Sequence, residues 1–246
     1  MSFSHLDDLL AGGEDKNIEL YLEIFKDLKE PTRNVLGYTL DIASMLHNSE
    51  LDNEYVIFGG YAVLSHIMKA YGSEMARVWR GSDDIDMAGT PKVKTALKRG
   101  YSVSSDMPSP NLKDKRTLKL VEDHEQECKI DFYTGDFKTR FSPETNTHFG
   151  INVKVGSPIS LIKGKIDAPF DEPLHSYDIL TLLSILEKRG YNPSRIISNL
   201  NNNEKALLLE HIKNGIEHFG EDRIGLFPSH NFISLVKTRL HKFRKV

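Results

Sequence analysis

The run Asp84-Ile85-Asp86-Met87 constrains the fold more than any other stretch of the chain. In a strand, successive side chains alternate faces, so both carboxylates stand on one side while Ile85 and Met87 stand on the other. Two carboxylates on one face repel each other and cost free energy unless a cation or hydrogen bonds balance them. The stretch therefore predicts a strand with one apolar face and one acidic face that demands positive charge. Hard divalent cations take oxygen ligands, and Mg²⁺ is typically held by one or two carboxylates together with substrate phosphates. An Asp-x-Asp pair taken alone is more often a solvated strand end, so the rest of the chain must supply the rest of a site.

Upstream, Tyr55-Val56-Ile57-Phe58 is a short apolar run that reads as a buried strand, and it ends at Gly59-Gly60. Tyr61 to Met68 then reads as a helix. Strand, paired glycines and helix start make a backbone-lined anion site, because glycine lets a phosphate approach and the first helical turn has free N–H groups. A tight turn is the plain alternative. Arg80-Gly81-Ser82 leads into the acidic pair. Arg80 is a candidate for neutralising phosphate charge or a partner for Asp83, and Ser82 is a phosphate donor or a turn residue. Alternation places Asp83 off the acidic face. Downstream, Thr117–Val121 and Cys128–Tyr133 each alternate polar and apolar residues about a charged turn, as an antiparallel hairpin does. Asp131, between Ile130 and Phe132, is either an edge-strand carboxylate or a third acid.

The remaining elements follow from periodicity and punctuation. Ile18, Leu22, Phe25 and Leu28 predict a helix over about 17–29, and a second helix follows Pro31. Pro91 to Arg99 forms a short helix closed by Gly100, Tyr101 to Ser105 a strand, and Met107 to Asp114 a loop with two prolines. Ile151–Val155 is a strand, and Ser157-Pro158 caps and opens a helix running to Ile166. From there the pattern is helical, at about 174–189, 193–200, 203–218 and 229–243. The chain is thus expected to be α+β, with residues 1–155 forming a small mixed-sheet core with N-terminal helices and residues 156–246 an all-α part. The 246 residues, 39% hydrophobic and 27% charged, suit one large or two small domains. The net charge of -3 predicts no general attraction to nucleic acid. A single cysteine, Cys128, excludes an internal disulfide and reads as a small strand residue rather than a nucleophile. The absence of a basic segment followed by an apolar run, and of any apolar stretch long enough for a membrane, predicts a cytoplasmic protein without a membrane partner. The histidines show no metal-ligand spacing.

Gly59-Gly60 after a strand, then Asp84-Ile85-Asp86, then Asp131 on a later strand, resembles the nucleotidyltransferase superfamily typified by DNA polymerase beta, over roughly residues 55–135. Leu161-Ile162-Lys163-Gly164-Lys165 and Tyr177-Asp178-Ile179-Leu180 resemble segments of the abortive-infection type IV toxins, although Tyr177 stands where that group has Lys and Thr181 where it has a second Asp. The resemblance implies transfer of a nucleoside monophosphate from a nucleoside triphosphate to an acceptor hydroxyl with Mg²⁺ or Mn²⁺. It implies Asp84, Asp86 and Asp131 as catalytic metal ligands, and Gly59, Gly60, Arg80, Ser82 and Lys165 at the nucleotide. Asp178 would be an acceptor-side base, or else a buried cap or salt bridge. A toxin-like enzyme acting on tRNA, other RNA or a protein, with an antitoxin partner, is one expectation. A small-molecule nucleotidyltransferase of the antibiotic-modifying kind and a non-catalytic binding module are the others. The C-terminal stretch Lys237 to Lys245 is either an RNA-facing basic helix or a solvated terminus.

Overall fold

The computed structural model describes residues 19, 22–24, 26–109, 114–122, 126–167, 173–219 and 228–243. Residues 19, 22–24, 26 and 27 are helical, as the periodicity over 17–29 predicts, whereas Ile18 and Phe25 of that stretch lie outside the described residues. The chain divides into two compact units, 1–156 and 157–246.

The first unit is built on one mixed sheet. Its elements in order are α1 (Glu30–Asn48), β1 (Tyr55–Phe58), α2 (Gly59–Tyr71), a 3₁₀ turn (Ser73–Val78), β2 (Asp84–Gly89), α3 (Pro91–Gly100), β3 (Ser102–Pro108), β4 (Lys115–Glu122), β5 (Gln126–Tyr133), α4 (Phe137–Phe141), β6 (Glu144–His148) and β7 (Ile151–Val155). The strand order is β3-β4-β5-β2-β1-β7-β6. β2 runs parallel to β5 and β1 parallel to β7, while the other neighbours are antiparallel. Proline sits in the first turn of α1 and of α3, where its missing N–H costs no helical bond.

One sheet face is the apolar face that alternation predicts. Ile57, Ile85, Met87, Leu118, Leu120, Ile130 and Phe132 are fully buried on it. Complete burial of such a side chain contributes about 1.5–3 kcal/mol. Helix α1 packs against β7, β2, β5 and α3. On the opposite face, Phe137 and Phe141 of α4 cover Val56 and Ala88 and leave the acidic positions beyond them uncovered by that cluster.

Two elements, α4 and β6, lack a recognisable pattern in the sequence. Strand β6 reads Glu-Thr-Asn-Thr-His, and its inward residues Asn146 and His148 are polar, so no apolar alternation marks it. They are paired to α2 instead: Ser65 Oγ lies 2.7 Å from His148 Nε2, and Asn146 Nδ2 donates to Ser65 Oγ at 2.9 Å. His66 Nε2 donates to the Gly156 carbonyl at 2.8 Å. The β6–β7 turn, Phe149-Gly150, has both residues at positive φ (52° and 83°), the conformation that matches the strand twist. β3 also extends to Pro108, so Met107 and Pro108 belong to a strand and not to the expected loop.

The second unit contains α5 (Pro158–Ile166), α6 (Pro173–Lys188), α7 (Pro193–Ser198), α8 (Asn202–Phe219) and α9 (His230–Phe243). Ser157 caps α5 by accepting from Ser160 N, and Pro158 opens it. α6 packs against α5 and α8. A buried polar chain ties them: Ser176 Oγ to His211 Nδ1 at 2.9 Å, and His211 Nε2 to the Ile166 carbonyl at 3.1 Å. α9 buries Phe232, Ile233, Val236 and Leu240, while Leu235 is exposed. Arg244 and Lys245 of the basic stretch lie outside the described residues. No helix among the described residues is long and apolar enough to cross a membrane. The whole is an α+β protein with a mixed sheet flanked by helices and a helical C-terminal part.

Candidate active site

Strand register brings the acidic residues together. Phe58 lies opposite Asp86 across β1–β2, and Asp86 lies opposite Asp131 across β2–β5. Asp84, Asp86 and Asp131 therefore share one face, with Lys129 opposite Asp84 and Thr117 of β4 opposite Asp131. Asp131 stands on an interior strand, not on an edge, and is 5% exposed. Asp83 precedes β2 and is exposed, off this face as alternation requires.

The glycines fit against this face from the β1–α2 junction. Helix α2 starts directly at Gly59, and no side chain caps its N-terminus. Gly59 has φ +66°, and a Cβ built there would lie 1.9 Å from Asp86 Oδ2. A Cβ at Gly60 would lie 2.8 Å from Ser82 Oγ and 3.4 Å from Arg80 Nη2. At Gly59 the positive φ and the Asp86 carboxylate leave room only for glycine, whereas a Cβ at Gly60 would push Ser82 aside from the helix start. Ser82 Oγ donates to the Asp84 carbonyl at 3.2 Å and approaches its Oδ1 at 3.4 Å. Arg80 donates from Nη1 to the Gly81 carbonyl at 2.6 Å, and its guanidinium lies 5.7 Å from the centre of the Trp79 ring. Seven expected site residues, Gly59, Gly60, Arg80, Ser82, Asp84, Asp86 and Asp131, thus belong to the first unit and gather at one end of β1, β2 and β5.

Three further residues complete the acidic face. Lys115 Nζ lies 2.6 Å from Asp131 Oδ2, and Thr117 Oγ1 donates to Asp131 Oδ1 at 2.8 Å. Lys129 Nζ lies 3.0 Å from Asp84 Oδ2 and 3.4 Å from Asp131 Oδ2. Burial by itself would raise the Asp131 carboxyl, but its bonds from Lys115 and Thr117 and the charge of Lys129 outweigh it and hold the group below the usual carboxylate range. Burial would likewise lower the lysines, yet the bonds from Lys115 to Asp131 and from Lys129 to Asp84 prevail and raise both. The i, i+2 spacing of Lys129 and Asp131 places them on one face and was readable in the sequence. Thr117 and Lys115 follow only once the hairpin register is known. Beside the acids, Phe58 stacks on Phe141 at 4.2 Å and meets Tyr133 edge-on at 5.2 Å, and Lys115 Nζ sits 5.3 Å from the Tyr133 ring centre.

Among the described residues no group of three or more His, Cys, Asp or Glu side chains is arranged to hold a metal ion as it stands. The donor set nonetheless suits a hard divalent cation. It is oxygen-only, it lies on one sheet face, and the positive charge it needs is supplied here by two ammonium groups.

Two expected site residues belong to the second unit and meet a different geometry. Lys165 Nζ lies 2.6 Å from Asp178 Oδ2, with the side chains 9% and 0% exposed. The two form a buried salt bridge, which is also the alternative that the sequence leaves open for Asp178. Tyr177 is also buried and packs edge-on against Phe219 at 5.4 Å. Cys128 is buried and burial pushes its thiol up, which suits a strand residue and not a nucleophile.

No protein-family model matches the chain, and no curated protein matches it. Among solved structures it is similar to an antigenic nucleotidyltransferase-like protein from Paracoccidioides brasiliensis, at 16% identity and a TM-score of 0.44, over 80% of this chain and 95% of that one. It is also similar to the Megavirus polyadenylate synthase, at 12% identity and a TM-score of 0.32, over 83% of this chain and 43% of that one. Likenesses this distant carry no argument about chemistry.

Proposed function

We propose that the first unit is a metal-dependent nucleotidyltransferase, transferring a nucleoside monophosphate from a nucleoside triphosphate to an acceptor hydroxyl. The observation that carries it is the register Phe58–Asp86–Asp131, with Asp84 two residues before Asp86, which puts three carboxylates on one sheet face and Asp86 against Gly59, where a Cβ would stand 1.9 Å from its Oδ2.

Each residue has a role its position suits. The uncapped N-terminus of α2 offers N–H groups and partial positive charge to the triphosphate. Ser82 Oγ donates to a phosphate oxygen, and Arg80 neutralises charge on the departing pyrophosphate. Asp84 and Asp86, completed by Asp131, would hold Mg²⁺ or Mn²⁺, which when bound would stabilise the attacking and leaving oxygens. The acceptor oxygen forms a bond to the α-phosphorus as the bond to the bridging oxygen of pyrophosphate breaks. Asp131 takes the hydroxyl proton; kept anionic by Lys115 and Thr117, it is an accepting group but a weak base.

The experiment supplies each nucleoside triphosphate with Mg²⁺, labelled either on the α- or on the γ-phosphate, and follows the label into RNA, protein and small hydroxylated molecules. Label from the α- but not the γ-position supports nucleotidyl transfer, and the fraction that carries it names the acceptor. Label from the γ-position alone, or from neither, refutes the reading. Growth arrest on expression, relieved by a co-expressed neighbouring gene, would support the toxin form of the reaction.

A further inference from the structure

Lys129 is not among the residues that the sequence assigns to the site, yet among the described residues its side chain bridges two of the acids. Its Nζ lies 3.0 Å from Asp84 Oδ2 and 3.4 Å from Asp131 Oδ2. Lys115 reaches Asp131 at 2.6 Å. The two lysines differ in how firmly they are placed. The Lys115 side chain is 20% exposed and lies by the Tyr133 ring, whereas the Lys129 side chain is 45% exposed. A long, half-exposed side chain can leave its partner for solvent at little cost, because water solvates the ammonium and the exposed pair is worth little. A buried or aromatic-backed one cannot do so as readily.

We propose that Lys129 is an exchangeable internal counter-cation: its ammonium holds Asp84 and Asp131 together without metal, and a divalent ion enters by displacing it. This rests on the metal-dependent reading of the site. The ammonium is a single charge on the two carboxylates that the ion needs, so ion and lysine compete for the same oxygens. Lys115, less exposed and held by both Asp131 and Tyr133, remains in place and keeps Asp131 oriented together with Thr117. The acidic face is thereby never without a cation, which removes the repulsion that two or three adjacent carboxylates would otherwise carry. It also makes metal affinity lower than the carboxylates alone would give.

The test titrates Mn²⁺ against the full chain at fixed ionic strength and reads free Mn²⁺ by electron paramagnetic resonance. The proteins are wild type, Lys129→Met, Lys129→Gln, Asp84→Asn and a control, Lys92→Met, which removes the same charge on α3 beyond the far end of β2. Removing an ammonium about 3 Å from a ligand carboxylate at a half-exposed position is expected to tighten Mn²⁺ binding about tenfold in both Lys129 variants. Lys92→Met is expected to change it less than about twofold, since exposed charges beyond a Debye length are screened. Asp84→Asn is expected to lose binding, which places the ion on the acidic face. Thermal unfolding gives a second reading: Mn²⁺ raises the melting temperature more in Lys129→Met than in wild type, because a tighter ligand stabilises more. Equal or weaker Mn²⁺ binding by both Lys129 variants overturns the exchange and leaves the metal reading standing. No binding by wild type or by either Lys129 variant overturns both.

Discussion

Replacing Gly59 by alanine tests how the β1–α2 junction serves the acids. The new Cβ would stand 1.9 Å from Asp86 Oδ2, 2.8 Å from Cγ and 2.9 Å from Cβ of the same side chain. Ordinary van der Waals contact requires the oxygen to retreat by about 1.5 Å. The backbone of Asp86 cannot follow, because it is paired on both sides, to Phe58 in β1 and to Asp131 in β5. The carboxylate must therefore rotate away from the helix start. Alanine at φ +66° adds about 1 kcal/mol of backbone strain, and an off-rotamer Asp86 adds about 1 kcal/mol more. The expected loss is about 2 kcal/mol in thermal or urea unfolding, with transfer of α-label reduced about 100-fold, since misplacing a reacting group by about 1 Å costs that much. Gly164→Ala is the internal control. It lies within α5 with nothing within 4 Å of its built Cβ, so alanine is expected to stabilise by about 0.5–1 kcal/mol with unchanged transfer. A Gly59→Ala protein with wild-type stability and wild-type transfer would refute the packing account of the paired glycines.

The Lys165–Asp178 pair gives a stability prediction. Asp178→Ala strands a buried ammonium and is expected to cost about 3–5 kcal/mol, whereas Lys165→Met combined with Asp178→Leu is expected to be near neutral. Denaturant unfolding of both proteins checks it, and a mild single mutant would show that the pair is not buried as described. His148 gives a pH prediction. Burial, with the nearby charge of Lys69, lowers it from 6.5 to about 4, so the unfolded chain binds a proton that the folded chain refuses. Its contribution to stability is complete above pH 6.5 and is lost as pH falls toward 4, by about 3 kcal/mol in all. Melting curves of wild type and His148→Gln between pH 7 and pH 5 are expected to converge as pH falls, and parallel curves would contradict the buried neutral imidazole.

What could be read from the sequence followed the periodicities. Ile85 and Met87 alternate with Asp84 and Asp86, and β2 presents them on opposite faces as expected. Gly59-Gly60 after an apolar run identified the strand-to-helix junction to within two residues. Strand β6 could not be read, because Asn146 and His148 face α2 through hydrogen bonds and not through apolar contact. Lys115 and Thr117 joined the site through cross-strand register, which depends on where the β4–β5 hairpin turns. Lys165 and Asp178 each carried a charge that suited catalysis. Their mutual pairing is a tertiary contact between α5 and α6, and spacing along the chain does not encode it.

The central claim is that Asp84 and Asp86 carry nucleotidyl transfer. The most direct measurement is transfer of α-phosphate label with Mg²⁺ by wild type, Asp84→Ala and Asp86→Ala, each shown to be folded by its melting curve. Label transfer by wild type that falls at least about 1,000-fold in both variants is the predicted result. Equal transfer by all three proteins would contradict the account.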